Sequence, residues 1–329
     1  MKALALLSGG LDSTLAIKVI LNQGIEVSAL NFISPFYQCN RKNGCDLESK
    51  KVADLFKIPL KVERLADEYL EMVKNPRYGY GKNINPCIDC RILIFKKAKS
   101  YMEKIGAKFI ITGEVLGERP MSQKKDTMRL IEKESGLLGL VLRPLSAKLL
   151  AETIPEIERW VDREKLYAIS GRSRKPQIKL AEDFGIKDYP APAGGCLLTD
   201  FGFAFRMKDL MKYSPNFNLN DIELLKISRH FRLSPYFKLI VGRNESENIR
   251  LKNLAKDSDI IFEPAENGPL GLGRGEFVEE CLLLSSKIIA KYCHKETMVS
   301  LQSKEIKRQI MAHKEEDVKK WMIIPIEKI

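Results

Sequence analysis

The chain has 329 residues and carries 55 Lys and Arg against 43 Asp and Glu, a net charge of +12 with histidine neutral. Length alone predicts about two domains at roughly 100–200 residues each, and 44% hydrophobic with 30% charged residues excludes a mainly disordered chain. Seven cysteines against three histidines, His230, His294 and His313, make a histidine triad or a histidine-rich metal site a poor expectation. No apolar run approaches the ~20 residues of a bilayer span. The opening MKALALLSGG has neither the long apolar region nor the cleavage site of a secretory signal. A cytoplasmic protein is therefore expected, with cysteines serving as thiols or metal ligands rather than disulfides. The positive charge suggests a polyanionic partner, weakly.

In chain order, Ala3–Leu7 reads as a buried strand, Ser13–Leu21 as a helix closed by Gly24, and Val27–Phe32 as a second strand. Leu47–Phe56 is predicted helical, Leu60–Val62 extended, Cys90–Ile105 helical and Phe109–Thr112 extended. Strands alternating with helices predict a doubly wound α/β domain with a parallel sheet, whose ligands sit beyond the carboxyl ends of the strands. The pattern turns mostly helical after Arg143-Pro144-Leu145 and passes a Pro/Gly-rich segment from Tyr189 to Gly195. A smaller α+β unit is expected to begin near Tyr213-Ser214-Pro215-Asn216, giving domains 1–212 and 213–329. It should contain a strand at 239–241, a helix over 247–255, a strand at 260–262, a loop over 268–275 and a helical, lysine-rich tail over 276–321, with a packed amphipathic helix from 288 to 307.

Ser8-Gly9-Gly10-Leu11-Asp12-Ser13 lies between the first strand and the first helix. Two glycines allow close backbone approach to an anion, and the helix N-terminus adds free N–H groups and a favourable dipole. Ser8, Ser13 and Thr14 add hydroxyls, and Asp12 suits a phosphate loop when magnesium or the helix amides offset its charge. The GxxxxGK[ST] pattern of ordinary kinases and GTPases is absent. The plainer alternative is a tight strand-to-helix turn capped by Asp12 or Ser13. SGGLDS in this position resembles the pyrophosphate loop of the ATP pyrophosphatases, which split ATP between its α and β phosphates and adenylate a substrate. The resemblance implies that Ser8, Gly9, Gly10, Asp12, Ser13 and Thr14 bind the pyrophosphate of Mg²⁺-ATP, that Thr112-Gly113-Glu114 forms the second nucleotide motif, and that Phe32 lies near the adenine.

Cys87-Ile88-Asp89-Cys90 is a CxxC leading into a helix, Cys196 follows Ala193-Gly194-Gly195, and Cys39 and Cys45 form a looser pair. Two cysteines one helical turn apart can share a metal with a third, and thiolates select zinc or iron–sulfur chemistry. Three ligands leave one position open, as catalysis prefers. A zinc site completed by Cys39 or Cys45, buried reduced thiols, and a persulfide-passing pair are the alternatives. With the SGGLDS loop, this arrangement resembles the iron–sulfur-dependent tRNA thiolation enzymes. It is also similar to pyrophosphate-loop proteins labelled thiouridylate methyltransferase-like, which share Asn85-Pro86-Cys87, Gly113–Gly117, Arg119–Gln123 and Arg143–Ser146; no methyl-donor site is evident. The similarity spans residues 1–205 best. It implies Cys87, Cys90 and Cys196 as ligands of a [4Fe–4S] cluster whose unique iron takes sulfide. The chain departs from the two-zinc-finger 2-thiouridine enzymes in lacking paired CxxC fingers, and from the usual 4-thiouridine synthetases in having SGGLDS at residue 8.

Gly171-Arg172-Ser173-Arg174-Lys175 is a compact basic cluster, and Arg172, Arg174 and Lys175 are candidate phosphate contacts on tRNA. Arg119, Lys124 and Lys125 follow the Glu114 motif. A solvated basic face is the plainer alternative. Gly242-Arg243-Asn244-Glu245 and Phe262-Glu263-Pro264 resemble the RNA-binding part of the NFACT proteins. The expected activity is ATP-dependent tRNA sulfur transfer: a uridine O2 or O4 is adenylated, and sulfide from the cluster's open iron replaces it, giving 2- or 4-thiouridine. Asp12 and the three cysteines would carry the chemistry. The implied partners are tRNA, sulfide or a sulfur-donor protein, with a homodimer as the oligomer to test. The rival expectations are a small-molecule ligase whose cysteines bind zinc, and a non-catalytic RNA-binding protein with a decayed loop.

Overall fold

The computed structural model describes residues 1–37, 48–189 and 196–324, and the chain divides into two compact units, Met1–Cys196 and Leu197–Ile329. In the first, β1 (Lys2–Leu6), β2 (Glu26–Ile33), β3 (Leu60–Arg64), β4 (Phe109–Thr112) and β5 (Val141–Leu142) form one sheet in the order β3-β2-β1-β4-β5. Every pairing is parallel. Ala3, Leu4 and Ala5 of β1 are all buried, the unbroken apolar run of a strand covered on both faces. Ala3 and Ala5 pack on one side with Ile17 and Ile20 of α1 (Leu11–Leu21) and Val52 of α2 (Glu48–Phe56). Leu4 faces the other side, with Phe95 and Ala98 of α4 (Cys87–Lys104) and Ile131 of α5 (Lys125–Ser135). Between them in sequence lies α3 (Asp67–Lys74), and the unit continues through α6 (Ile154–Ile157) to α7 (Lys175–Asp183).

This is the doubly wound α/β fold. Strands β2 and β3 lie to one side of β1, and β4 and β5 to the other. The loops leaving the carboxyl ends of β1 and β4 therefore flank the point where the winding reverses, which is where such sheets take ligands. Sequence periodicity does not mark α3, α5 or β5. The last has only two residues, too few to show a period.

The second unit holds α8 (Phe201–Tyr213), α9 (Leu219–Leu225), β6 (Arg229–Ser234), β7 (Phe237–Val241), α10 (Glu245–Leu254), β8 (Ile260–Pro264), β9 (Gly271–Gly275), α11 (Glu279–Lys291), β10 (Thr297–Gln302) and β11 (Lys307–Ala312). Its antiparallel sheet runs β11-β10-β8-β9-β7-β6. Two expectations are corrected here. The tail is not helical throughout, nor is 288–307 one helix: α11 ends at Lys291 and two paired strands follow, because Thr297, Val299 and Leu301 are buried at period two. The expected loop over 268–275 contains β9, whose glycines make room for neighbours. A Cβ at Gly273 would lie 2.5 Å from the Phe237 ring and one at Gly271 2.6 Å from Ile289. By compactness this unit begins at Leu197, and α8 is tied into it. Asp209 pairs with Arg232 at 2.6 Å, and Arg206 donates to the Leu225 carbonyl at 3.0 Å. Among the described residues, no helix is long and apolar enough to cross a membrane.

Candidate nucleotide and thiol site

The loop from Ser8 to Ser13 leaves β1 and enters α1 with Gly10 as N-cap. Gly9 has φ +83°, and a Cβ there would lie 2.5 Å from the Ser49 amide nitrogen at the start of α2. Both the backbone angle and the space require glycine. Hydroxyls expected to face an anion are partly spent on the loop itself. Ser13 Oγ and Thr14 Oγ1 donate to the Gly10 carbonyl at 2.9 and 3.0 Å, and Ser13 Oγ lies 3.1 Å from Ser8 Oγ. These bonds tighten the first turn of α1.

The neighbouring β4 delivers Thr112-Gly113-Glu114 to the same edge. A Cβ on Gly113 would sit 2.4 Å from the Ser13 amide nitrogen, so the two loops touch backbone to backbone. Glu114, 2% exposed, is held on both oxygens: Arg91 Nη2 lies 2.8 Å from Oε1 and Arg143 Nε 3.0 Å from Oε2. Arg143 also pairs with Glu132. Burial would raise the Glu114 carboxyl, but the two arginines overcome this and hold it below the ordinary range. Glu114 thus acts as a strut under Gly113. Ser146, fully buried, accepts from the Leu116 amide at 2.9 Å and donates to the Ile169 carbonyl at 2.7 Å. Gln123 accepts from the Arg119 amide at 3.0 Å. The Gln123 and Ser146 side chains therefore brace the loop backbone. Phe32 is half-buried at the end of β2 and packs into the layer containing Leu4.

Cys87 and Cys90 form the first turn of α4, and Asp89 between them accepts from the Arg77 and Tyr78 amides at 2.9 and 3.1 Å, fastening the preceding loop. Cys87, Cys90 and Cys196 are all thiols. They converge on Tyr69 of α3, a buried side chain whose hydroxyl donates to Cys90 Sγ at 3.1 Å. Burial and the nearby sulfurs of Cys90, Cys196 and Cys87 push the Tyr69 phenol well above its usual range. Burial raises the Cys87 thiol, with Arg91 and Arg119 pulling back. Cys90 is likewise raised by burial, against the Tyr69 hydrogen bond and Arg91. Cys39 and Cys45 lie outside the described residues. Among the described residues, no group of three or more His, Cys, Asp or Glu side chains is arranged to hold a single metal ion. Three half-buried thiols near one hydroxyl donor, with two arginines bearing on them, are a donor set of the kind that iron–sulfur clusters use.

Burial raises the Asp12 carboxyl, and Arg174, Gln177 and Arg119 oppose that shift. Arg174, a candidate RNA contact, is half-buried with its charge bearing on Asp12, while Arg172 and Lys175 are exposed. The Gly171 amide donates to the Leu116 carbonyl at 2.7 Å, which draws this segment to the site. Sequence inspection missed Tyr69, Arg91, Glu118 and Gln177. Arg91 follows the CxxC directly, and Gln177 is a polar residue on the buried face of α7; Tyr69 carries no comparable signal.

A doubly wound domain with a glycine-rich anion loop at its switch point, and a Thr-Gly-Glu turn packed against it, is a pyrophosphate-loop nucleotide domain. Residues 1–175 match the family described as thiamine biosynthesis protein (ThiI), and the chain belongs to that family. Residues 228–322 match the NFACT protein RNA binding domain. The chain is 33% identical over 175 residues to the tRNA-specific 2-thiouridylase MnmA of Syntrophotalea carbinolica, covering 47% of this chain and 49% of that protein. It is 33% identical over 121 residues to a protein of Thermoanaerobacter pseudethanolicus named "Probable tRNA sulfurtransferase", covering 36% of this chain and 30% of that one. Against the tRNA-specific 2-thiouridylase MnmA of Pseudomonas fluorescens, identity is 24% over 299 residues, covering 86% and 74%. The chain thus spans about half the length of the first relative and less than a third of the second.

Proposed function

We propose that the protein is an ATP-dependent tRNA sulfurtransferase that adenylates a uridine carbonyl oxygen, O2 or O4, and replaces it with sulfur. The observation that carries this is Arg91, which follows the CxxC on α4 and pairs with Glu114 at 2.8 Å, beside the Gly113 turn whose backbone meets Ser13 of the phosphate loop. The thiol helix and the anion loop are thereby tied to one sheet edge, as a reaction using both would need. The Gly9–Gly10 backbone and the α1 N-terminus would hold the leaving pyrophosphate, and Arg119 and Arg174 would balance its charge. The uridine oxygen attacks the α-phosphate; a P–O bond forms and the bond to pyrophosphate breaks. Sulfide then attacks the activated carbon, a C–S bond forms, and the C–O bond breaks with the oxygen leaving on AMP.

Cys87, Cys90 and Cys196 would hold an iron–sulfur cluster. When bound, that group would supply a place to carry sulfide as a nucleophile without a histidine base. The match of residues 228–322 to an RNA-binding domain supports tRNA as the substrate. Extruding the target base costs a few kcal/mol, which Lys and Arg contacts to phosphate offset. Anaerobic purification, iron and labile-sulfide analysis, and ATP–pyrophosphate exchange with and without tRNA test the proposal together. Bound iron and tRNA-dependent exchange are expected. An iron-free protein that still thiolates tRNA would remove the cluster, and exchange without RNA would favour a small-molecule ligase.

A further inference from the structure

The buried face of α7 runs Gln177, Leu180, Ala181, the i, i+3, i+4 stripe that packs a helix on its neighbour. Leu180 and Ala181 meet Leu11 and Leu15 of α1 in one apolar cluster. The first position of that stripe should be apolar too, yet it is glutamine, 0% exposed, and neither its Oε1 nor its Nε2 has a hydrogen-bond partner. Gln177 faces the Asp12 carboxylate closely enough to favour its charged form, without the distance and angle of a formed hydrogen bond, and the buried Asp12 Oδ1 is likewise without one. A second carboxylate, Glu118, half-buried, shares the corner and feels the Asp12 charge. An unpaired buried polar group is costly, and such groups are retained where an ion, water or ligand completes them. Two carboxylates and an amide carbonyl are hard oxygen donors, which suit a divalent cation that keeps several of its waters. The same corner adjoins the anion loop, and Arg119 and Arg174 would oppose a bare cation there but favour one that arrives on a polyphosphate.

We infer that Glu118 and Gln177 complete, with Asp12, the site for the divalent cation of the bound nucleotide, with Gln177 as the residue that orients Asp12. This rests on the nucleotide reading above and assigns two residues outside both nucleotide motifs. The test uses the full chain, Mn²⁺ as the probe, and α,β-methylene-ATP as a non-reacting nucleotide, with bound Mn²⁺ read by electron paramagnetic resonance and folding by thermal unfolding. The wild type should bind Mn²⁺ with the nucleotide, and Gln177→Leu and Glu118→Gln should each weaken Mn²⁺ binding about tenfold or more. Gln177→Leu should unfold no earlier than wild type, because it replaces an unpaired buried amide with an apolar side chain. Wild-type Mn²⁺ affinity in both variants overturns the inference while leaving the nucleotide reading intact. If Gln177→Leu does not fold, wild-type affinity in Glu118→Gln overturns it equally. Failure of the wild type to bind the nucleotide overturns the nucleotide reading itself, and the inference falls with it.

Discussion

Replacing Glu114 by Gln removes one charge from the centre of the Arg91–Glu114–Arg143–Glu132 network while nearly preserving shape. Arg143 is 4% exposed and would lose the carboxylate at its Nε while keeping Glu132 at its Nη1. Breaking a buried ion pair from one side costs about 3–5 kcal/mol. The remaining Glu132 pairing, and the acceptor that Gln still offers, place this change near the lower end, at about 3 kcal/mol. For a domain of this size that corresponds to a Tm lower by about 6–12 °C. The effect depends on pH with a definite sign. The folded carboxyl is held below its ordinary value, so its stabilisation is fully present above about pH 4.3 and is lost as pH falls through the lowered folded value. Thermal or urea unfolding of wild type and Glu114→Gln at pH 7, and again at progressively lower pH, should show a gap that closes on acidification. A gap below about 1 kcal/mol at pH 7, or one that does not change with pH, would refute the strut assignment.

Gly113→Ala places a Cβ against the Ser13 amide nitrogen, 2.4 Å away in the unrelaxed backbone. Two backbones must separate, so nucleotide binding, measured by equilibrium dialysis, should fall at least about tenfold; unchanged binding would contradict the backbone contact. In the second unit, buried Lys238 has its pKa lowered to about 8, chiefly by burial. Between pH 8 and 10.5 the unfolded lysine holds more protons than the folded one, so stability rises with pH by up to about 1.4 kcal/mol per unit. Lys238→Met should flatten that rise in urea unfolding at pH 7.5 and 9.5, with Arg232 still pairing Asp209; equal slopes would count against it.

Much of the first unit was legible because buried parallel strands leave unbroken apolar runs, as in Ala3–Leu7, and amphipathic helices leave a 3.6-residue period. The phosphate loop was legible because glycine pairs at a strand-to-helix turn have few other uses. The second unit was less so. Gly271–Gly275 reads as loop by composition, yet the packing of Phe237 and Phe262 requires those glycines in a strand. Lysine-rich Lys307–Ala312 is strand because it pairs β10, a long-range fact that no local period carries. Within the site, sequence spacing selected Cys87, Cys90 and Cys196. It could not show that Tyr69, from a separate helix, donates to one of these thiols, or that Glu114 is occupied by Arg91 and Arg143. Such assignments depend on which chain segments meet.

The central claim is tested most directly by nucleoside mass analysis of tRNA after incubation with the anaerobically purified protein, Mg²⁺-ATP and sulfide. The account predicts thiouridine that requires ATP and disappears in both Asp12→Asn and Cys196→Ala, with both variants folded. Thiouridine formed without ATP, or formed undiminished by Cys196→Ala, would contradict it.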